Sequence, residues 1–289
     1  MFTIENQQLK VIIHSKGAEL QSIFHKGQDL EYMWGGDPAF WGKHSPILFP
    51  IVGALKENTY YYQDKAYTLS RHGFAREMEF EVESQEPGNI VFLLRSTEAT
   101  LQHYPFAFEL RVIYRLTQDG LQTTYSVKNP SAGDLYFSVG GHPAFKIPLV
   151  AGTNYNDYYL EMEKEEMLSR WPISKDGLID KLPGILSEND RILPLTKELF
   201  AADALVFKHL SSKSVALRSA KTVHGLNFDF SGFPYLGIWA AKNADFVCIE
   251  PWCGIADSVD TDQQLVNKEG INRLAPGNGF ERTWTLSVF

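Results

Sequence analysis

Hydrophobic and polar residues alternate with period two along much of this chain, the pattern of strands that bury one face and wet the other. The clearest case sets Met78, Phe80 and Val82 between Glu77, Glu79, Glu81 and Glu83, which predicts a half-buried strand. Pro87-Gly88-Asn89 supplies a turn before the apolar run 90–94, so the two segments read as a hairpin. Phe106, Phe108, Leu110, Val112, Tyr114 and Leu116 alternate with mostly polar neighbours. Asp119-Gly120 then leads into Leu121, Thr123, Tyr125 and Val127, a second hairpin. Further strands are predicted over residues 9–13, 18–24, 60–69, 215–218, 226–230, 236–240, 246–250 and 284–289. Residues 158–170 and 194–202 fit single turns or irregular strands equally well.

Strands that recur at short intervals, separated by Gly, Pro and Asn and not by long amphipathic helices, predict an all-β fold. The expected form is a large antiparallel β-sandwich with few short helices. A chain of 289 residues buries about three quarters of its unfolded surface, so no staples are needed to complete a core. No linker or composition shift divides it, and residues 1–289 are read as one domain.

Charge removes several function classes. A formal net charge of -8 lacks the clustered Lys and Arg of a phosphate-binding footprint, so no nucleic acid is expected as a partner. No basic-then-apolar leader and no membrane-length apolar run is visible, which points to the cytoplasm and away from a membrane. Cys248 and Cys253 make neither a disulfide framework nor, by themselves, a zinc site. His103, His209 and His224 lack ligand spacing, and no Gly-rich phosphate loop precedes a helix. Neither a metal nor a cofactor is expected.

Three short segments pair titratable groups with sharp-turn residues: Arg71-His72-Gly73-Phe74-Ala75-Arg76, Gly140-Gly141-His142-Pro143-Ala144-Phe145 and Cys248-Ile249-Glu250-Pro251-Trp252. Each lies at the end of a predicted strand, where a rigid sandwich presents functional groups. A histidine and a tuned carboxylate suit proton transfer in both directions near neutral pH. Taken singly, each has an ordinary role. A His beside Gly is commonly a turn residue, Glu250 a strand-end charge, Asp203 a helix cap, and Arg71 and Arg76 solvated loop charges. Trp34, Trp41, Trp239 and Trp252 offer a platform for a sugar ring, although large aromatics more often fill cores.

In this order the RHGFAR, GGHPAF and CIEPW segments resemble the motifs of the aldose 1-epimerase (galactose mutarotase-like) family. The likeness extends from the PILFPIVG segment at 46–53 through the C-terminal strand. The nearest subgroup is the set of aldose epimerase-like proteins associated with bacterial lactose operons. The resemblance implies a β-supersandwich whose open face binds a monosaccharide, and an isomerase that interconverts α and β anomers. In such a mutarotase an acid protonates the pyranose ring oxygen while a base takes the proton of the anomeric hydroxyl, and the roles reverse for closure. By similarity His142 matches the general acid, Glu250 the general base, and His72 a substrate-binding histidine that assists at the ring oxygen. Asp203 stands where a sugar-hydroxyl acceptor is often found, and Trp252 adjoins the base.

One departure concerns substrate choice. Family members that act on free galactose commonly carry arginine directly after the glycine of their VG segment, whereas Val52-Gly53 is followed here by Ala54. Arg71 is positioned in sequence to supply a similar cation, and Lys56 or Arg76 to contact a sugar phosphate. The expected substrate is therefore a hexose or a hexose 6-phosphate, and the expected assembly a monomer or weak homodimer. Two other functions fit a sandwich of this kind: a non-catalytic sugar sensor, and a glycosidase or lyase with two carboxylates flanking the scissile bond.

Overall fold

The computed structural model describes residues 1–118 and 120–289. Among these, fifteen strands form one long antiparallel sheet. From one edge it runs through Ile47–Leu48, Val139–Gly141, Phe246–Cys253, Tyr235–Trp239, Leu205–Lys208, Tyr158–Trp171 and Ser214–Ser219. It continues through Leu226–Asp229, Gly279–Val288, Gly120–Lys128, Glu109–Leu116 and Asn89–Arg95 to Glu81–Glu86. Ala144–Lys146 and Gly184–Pro194 pair beside this path, on Phe246–Cys253 and Tyr158–Trp171 respectively.

The period-two pattern explains why one face of this sheet is dry. Leu110, Val112 and Tyr114 stand directly opposite Val127, Tyr125 and Thr123, and on the other side opposite Leu94, Phe92 and Ile90. All nine side chains are buried. A four-stranded sheet of Phe2–Glu5, Leu9–His14, Glu19–His25 and Leu30–Glu31 packs across them, with Phe2 edge-on to Phe92 and the Tyr114 hydroxyl donating to the Ala18 carbonyl. This is the predicted all-β sandwich. Asp119 of the second predicted hairpin lies outside the described residues.

Two local readings need correction. Phe80 is buried between exposed Glu79 and Glu81 as the alternation requires, yet the hydrogen-bonded strand begins only at Glu81. Residues Ala75–Glu77 form a 3-10 turn, where Glu77 is held at 2.9 Å by both Lys16 and Lys43. Residues 60–69 are two strands, Thr59–Tyr62 and Lys65–Thr68, hinged at Gln63 and Asp64 with φ of 49° and 59°. Such a two-residue turn usually announces itself by Asn-Gly or Asp-Gly, which this one lacks. Residues 158–170 belong to the long strand Tyr158–Trp171, while 194–202 close Gly184–Pro194 and enter the 3-10 turn Lys197–Phe200.

At the Phe246–Cys253 end the sheet carries apolar groups on both faces. One face joins the main core, and the other meets a smaller cluster that includes Leu48, Val52, Ile179, Val206, Trp252 and Ala256. A strand covered on both sides reads as an unbroken apolar run. Every residue of Phe246–Cys253 is buried. None of the helices among the described residues is long and apolar enough to cross a membrane.

Candidate active site

Alternation along Phe246–Cys253 places Phe246, Cys248, Glu250 and Trp252 on one face. In register, Trp239 lies opposite Cys248, Gly237 opposite Glu250, and Gly140 opposite Trp252. Glu250 and Trp252 of this face floor a cleft of about 380 Å³, a volume suited to a small ligand, while Phe246 and Cys248 lie beside it in the main core. His72, His142, Glu250, Arg71, Asp203 and Trp252 all line it, together with Arg76, Trp41 and Trp239. The three sequence segments therefore converge on one site.

At its centre His142 Nε2 lies 3.3 Å from Glu250 Oε2, with side chains only 10% and 2% exposed. Burial raises the Glu250 carboxyl well above the ordinary carboxylate range, against the pull of the nearby Arg71 guanidinium. The Trp252 indole N–H also favours the carboxylate, although it makes no geometrically complete hydrogen bond. Burial pushes His142 down to about 3. Burial of the pair thus favours a neutral acid beside a neutral imidazole. That state holds the same number of protons as a carboxylate beside an imidazolium, so one internal proton shift interconverts them.

The imidazole of His142 is held on two sides. Trp41 stacks on it at 5.0 Å with 30° between the planes, and Trp239 meets it edge-on at 5.5 Å. His72 approaches it edge-on at 5.8 Å from a turn in which His72 and Gly73 have φ of 70° and 71°. Glycine is required at 73, because a Cβ there would lie 2.3 Å from the Phe49 carbonyl oxygen. The Gly53 N–H donates to His72 Nδ1 at 3.0 Å. Burial, followed by the charges around it, holds His72 far below its usual range. A neutral imidazole that accepts at Nδ1 carries its proton on Nε2, so His72 is a hydrogen-bond donor.

Arg71 and Asp203 face each other at 3.7 Å, both partly exposed, with Asp203 at φ 82°. Arg76 donates from Nη2 to the Arg71 carbonyl at 2.9 Å, and its Nε is buried without a partner. Lys56 departs from expectation. Its ammonium reaches the Val259 carbonyl at 3.4 Å, and it lines a neighbouring hollow with Ser174 and Asp176. Trp252 is part of the floor, since a Cβ at Gly140 or Gly237 would come within 2.7 or 2.5 Å of its indole. Two glycines on the flanking strands make room for that ring. Trp34 is buried and donates to the Trp41 carbonyl, outside the cleft lining.

Sequence reasoning missed the wall formed by Ile173, Gly177 and Ile179, which follows the strand Tyr158–Trp171. A Cβ on Gly177 would lie 3.2 Å from the Ala54 methyl and 3.9 Å from Arg71 Nη1. The neighbourhood of Ala54 is therefore filled by this wall and by the Arg71 guanidinium. Its only sequence signal was the Asp176-Gly177 turn, which carries no chemistry. Asp257 was missed as well. Its carboxylate pairs with Lys268 at 2.7 Å, both side chains 3% exposed, and accepts the Lys56 N–H. Its own N–H and C=O bind the Ala54 carbonyl and the Ile179 N–H, so one residue ties two cleft loops together. His142, Cys248 and Glu250 also offer ligand atoms within 4.8 Å of one another.

Known proteins share both the sequence and this fold. A family model described as aldose 1-epimerase matches residues 1–264. The chain is 34% identical to the chromosomally encoded protein LacX of Lactococcus lactis, over 99% of this chain and 98% of that one. A galactose mutarotase related enzyme from Lactobacillus acidophilus superposes with a TM-score of 0.95 at 40% identity, covering 100% of this chain and 97% of that one. A galactose mutarotase-like protein from Lactobacillus casei gives a TM-score of 0.94 at 33% identity, with full coverage of both chains at 100%.

Proposed function

The chain belongs to the aldose 1-epimerase family, and from that premise we propose that it is a mutarotase, exchanging the α and β anomers of a hexose or hexose 6-phosphate. The observation that carries this reading is the buried pair of His142 and Glu250, 3.3 Å apart on the floor of the cleft. The ring oxygen and the anomeric hydroxyl of a pyranose are bonded to one carbon, so the acid and base that serve them must also be close neighbours.

A bound sugar brings hydroxyl dipoles to the buried pair and favours its charge-separated form. Glu250, as carboxylate, takes the anomeric proton, and His142, as imidazolium, gives its proton to the ring oxygen. The C–O bond of the ring breaks as the carbonyl forms. Rotation about the adjacent C–C bond then presents the other face of the aldehyde, and the two groups return their protons to close the ring. His72 donates from Nε2 to the ring oxygen, which carries negative charge as the ring opens. Asp203 accepts a sugar hydroxyl, and Trp252 supplies an apolar floor.

Arg71 and Arg76 both line the cleft, and no carboxylate pairs with Arg76 among the described residues. This supports a phosphorylated substrate as the second form of the same reading. A non-catalytic sugar sensor needs hydrogen-bonding groups but no matched acid and base. The unbroken main sheet supports reading residues 1–289 as one domain. The deciding experiment is anomer exchange by NMR or polarimetry over glucose, galactose and their 6-phosphates. Exchange with none of them, at protein concentrations where they bind, selects the sensor.

A further inference from the structure

We propose that one thiophilic divalent cation, Zn²⁺ or Co²⁺, binds where the floor of the cleft meets the core, through His142 and Glu250 of the cleft and Cys248 behind them, and that the ion inhibits the protein by occupying its acid and base. The inhibition rests on the mutarotase reading above; the binding does not.

The three ligands come from two adjacent pieces of the sheet. Cys248 and Glu250 alternate onto one face of Phe246–Cys253, and His142 lies in the turn before Ala144–Lys146, whose Ala144 pairs with Cys248. Their ligand atoms lie within 4.8 Å of one another, and all three residues are buried. The carboxylate also has an oxygen to spare for a guest. Glu250 Oε2 is buried without a hydrogen-bond partner, although it faces His142 Nε2 at 3.3 Å. Nitrogen and oxygen ligands at about 2.0–2.2 Å from a tetrahedral zinc stand about 3.4 Å apart, so this spacing already matches a metal bite. A thiolate at about 2.3 Å would stand about 3.6 Å from each, and since Cys248 already lies within 4.8 Å of both it needs to close by at most about 1 Å.

Charge and softness narrow the guest. Binding releases the protons of the Glu250 carboxyl and the Cys248 thiol to solvent, and leaves a dication with two anions and a neutral imidazole. That set is electrically neutral, which suits a buried floor. A thiolate and an imidazole select zinc or cobalt over magnesium or calcium. Because His142 and Glu250 line the cleft, a fourth position on that side would be open to water. With Glu250 on the metal no base remains for the anomeric proton, and with His142 on it no acid remains for the ring oxygen.

The test uses the full chain, stripped with a chelator, and Co²⁺ as a visible probe. One equivalent of Co²⁺ should give a thiolate-to-cobalt charge-transfer band and the visible absorption of a tetrahedral site, and Zn²⁺ should erase both. Because the chain has two cysteines, the control is complete: Cys253, on the opposite face of the strand, should keep the band when changed to alanine. Cys248→Ala should lose the band and weaken Zn²⁺ by more than the roughly 10–100-fold that loss of an outer partner costs. Cys248→Ser, which preserves the side-chain shape, should do the same if the alanine variant folds poorly. No band in the wild type, a band that survives both Cys248 changes, or a band that vanishes in Cys253→Ala overturns the proposal. Stoichiometric Zn²⁺ should then stop anomer exchange, and a chelator should restore it. A protein that shows the cobalt band but no exchange without metal refutes the mutarotase reading and leaves the binding site standing.

Discussion

Glu250→Gln separates the chemistry of the cleft from its architecture. Glutamine keeps the size of the side chain and the strand it sits on, and removes the group proposed to take the anomeric proton. A positioned acid or base contributes roughly 10²- to 10⁴-fold, which is about 3 to 5 kcal/mol of barrier, so exchange should fall by that factor while sugar affinity changes little. Stability should move the opposite way, with a definite pH dependence. Burial raises the folded-state pKa of Glu250 above its unfolded value of about 4.3. The folded protein therefore holds this proton more tightly. The stability it contributes is fully present below about pH 4.3 and is lost as pH rises through the folded value. Every tenfold gain in proton affinity is worth about 1.4 kcal/mol, or about 2 °C in Tm for a chain of this length. The glutamine has no proton to lose, so the variant should match the wild type near pH 4 and exceed it at pH 8. Exchange by NMR and melting curves at the two pH values read both arms. Wild-type exchange in a folded variant would refute the assignment of the base, and an equal Tm difference at pH 4 and pH 8 would refute the burial argument.

The pH dependence of His142 has the opposite sign. Burial holds its folded value well below the unfolded 6.5, so the stability is present above pH 6.5 and is lost as pH falls through the folded value. His142→Asn should flatten urea unfolding energies between pH 7 and pH 4, and an unchanged slope counts against the burial of a neutral imidazole. Arg76→Gln should weaken a hexose 6-phosphate by about tenfold or more, the worth of a charge-assisted hydrogen bond, and leave the free hexose nearly unaffected. Equal effects on both sugars in calorimetry would assign Arg76 to the support of the Arg71 loop. Asp257→Asn strands the buried Lys268 ammonium and should cost about 3–5 kcal/mol, most of it recovered when Lys268→Met is added. Failure of the double variant to recover would mean that the loop tethers of Asp257, and not its charge, carry the stability.

How much of this was legible in the sequence follows from where each signal lies. The strands 109–116 and 120–128 could be read because one face is dry and the other wet, and period two survives only under that asymmetry. Leu205–Lys208 and Val139–Gly141 are covered on both faces and too short to show a period, so they passed unnoticed although they flank the floor of the cleft. The Gln63-Asp64 turn hid for a different reason: both residues hold positive φ without the glycine that normally marks it.

The site divides along the same line. His72, His142 and Glu250 could be singled out because each combines a titratable group with a turn or a proline in a short segment, and the register of the sheet then brings them together. Arg76 and Lys56 looked alike in sequence, but only a register and a loop path distinguish a guanidinium inside the cleft from an ammonium turned toward the Val259 carbonyl. The fit of Trp252 between Gly140 and Gly237 depends on three strands distant in sequence. No local pattern encodes it, because a glycine in a strand signals only that something comes close, and what comes close is decided by the strand next door. The same holds for Cys248. In sequence it is a buried apolar residue of the CIEPW segment; its relation to His142 exists only once Ala144 pairs with it across the sheet. The chemistry of this cleft is thus written in single residues, while its selectivity and its openness to a metal ion are written in the pairing between strands.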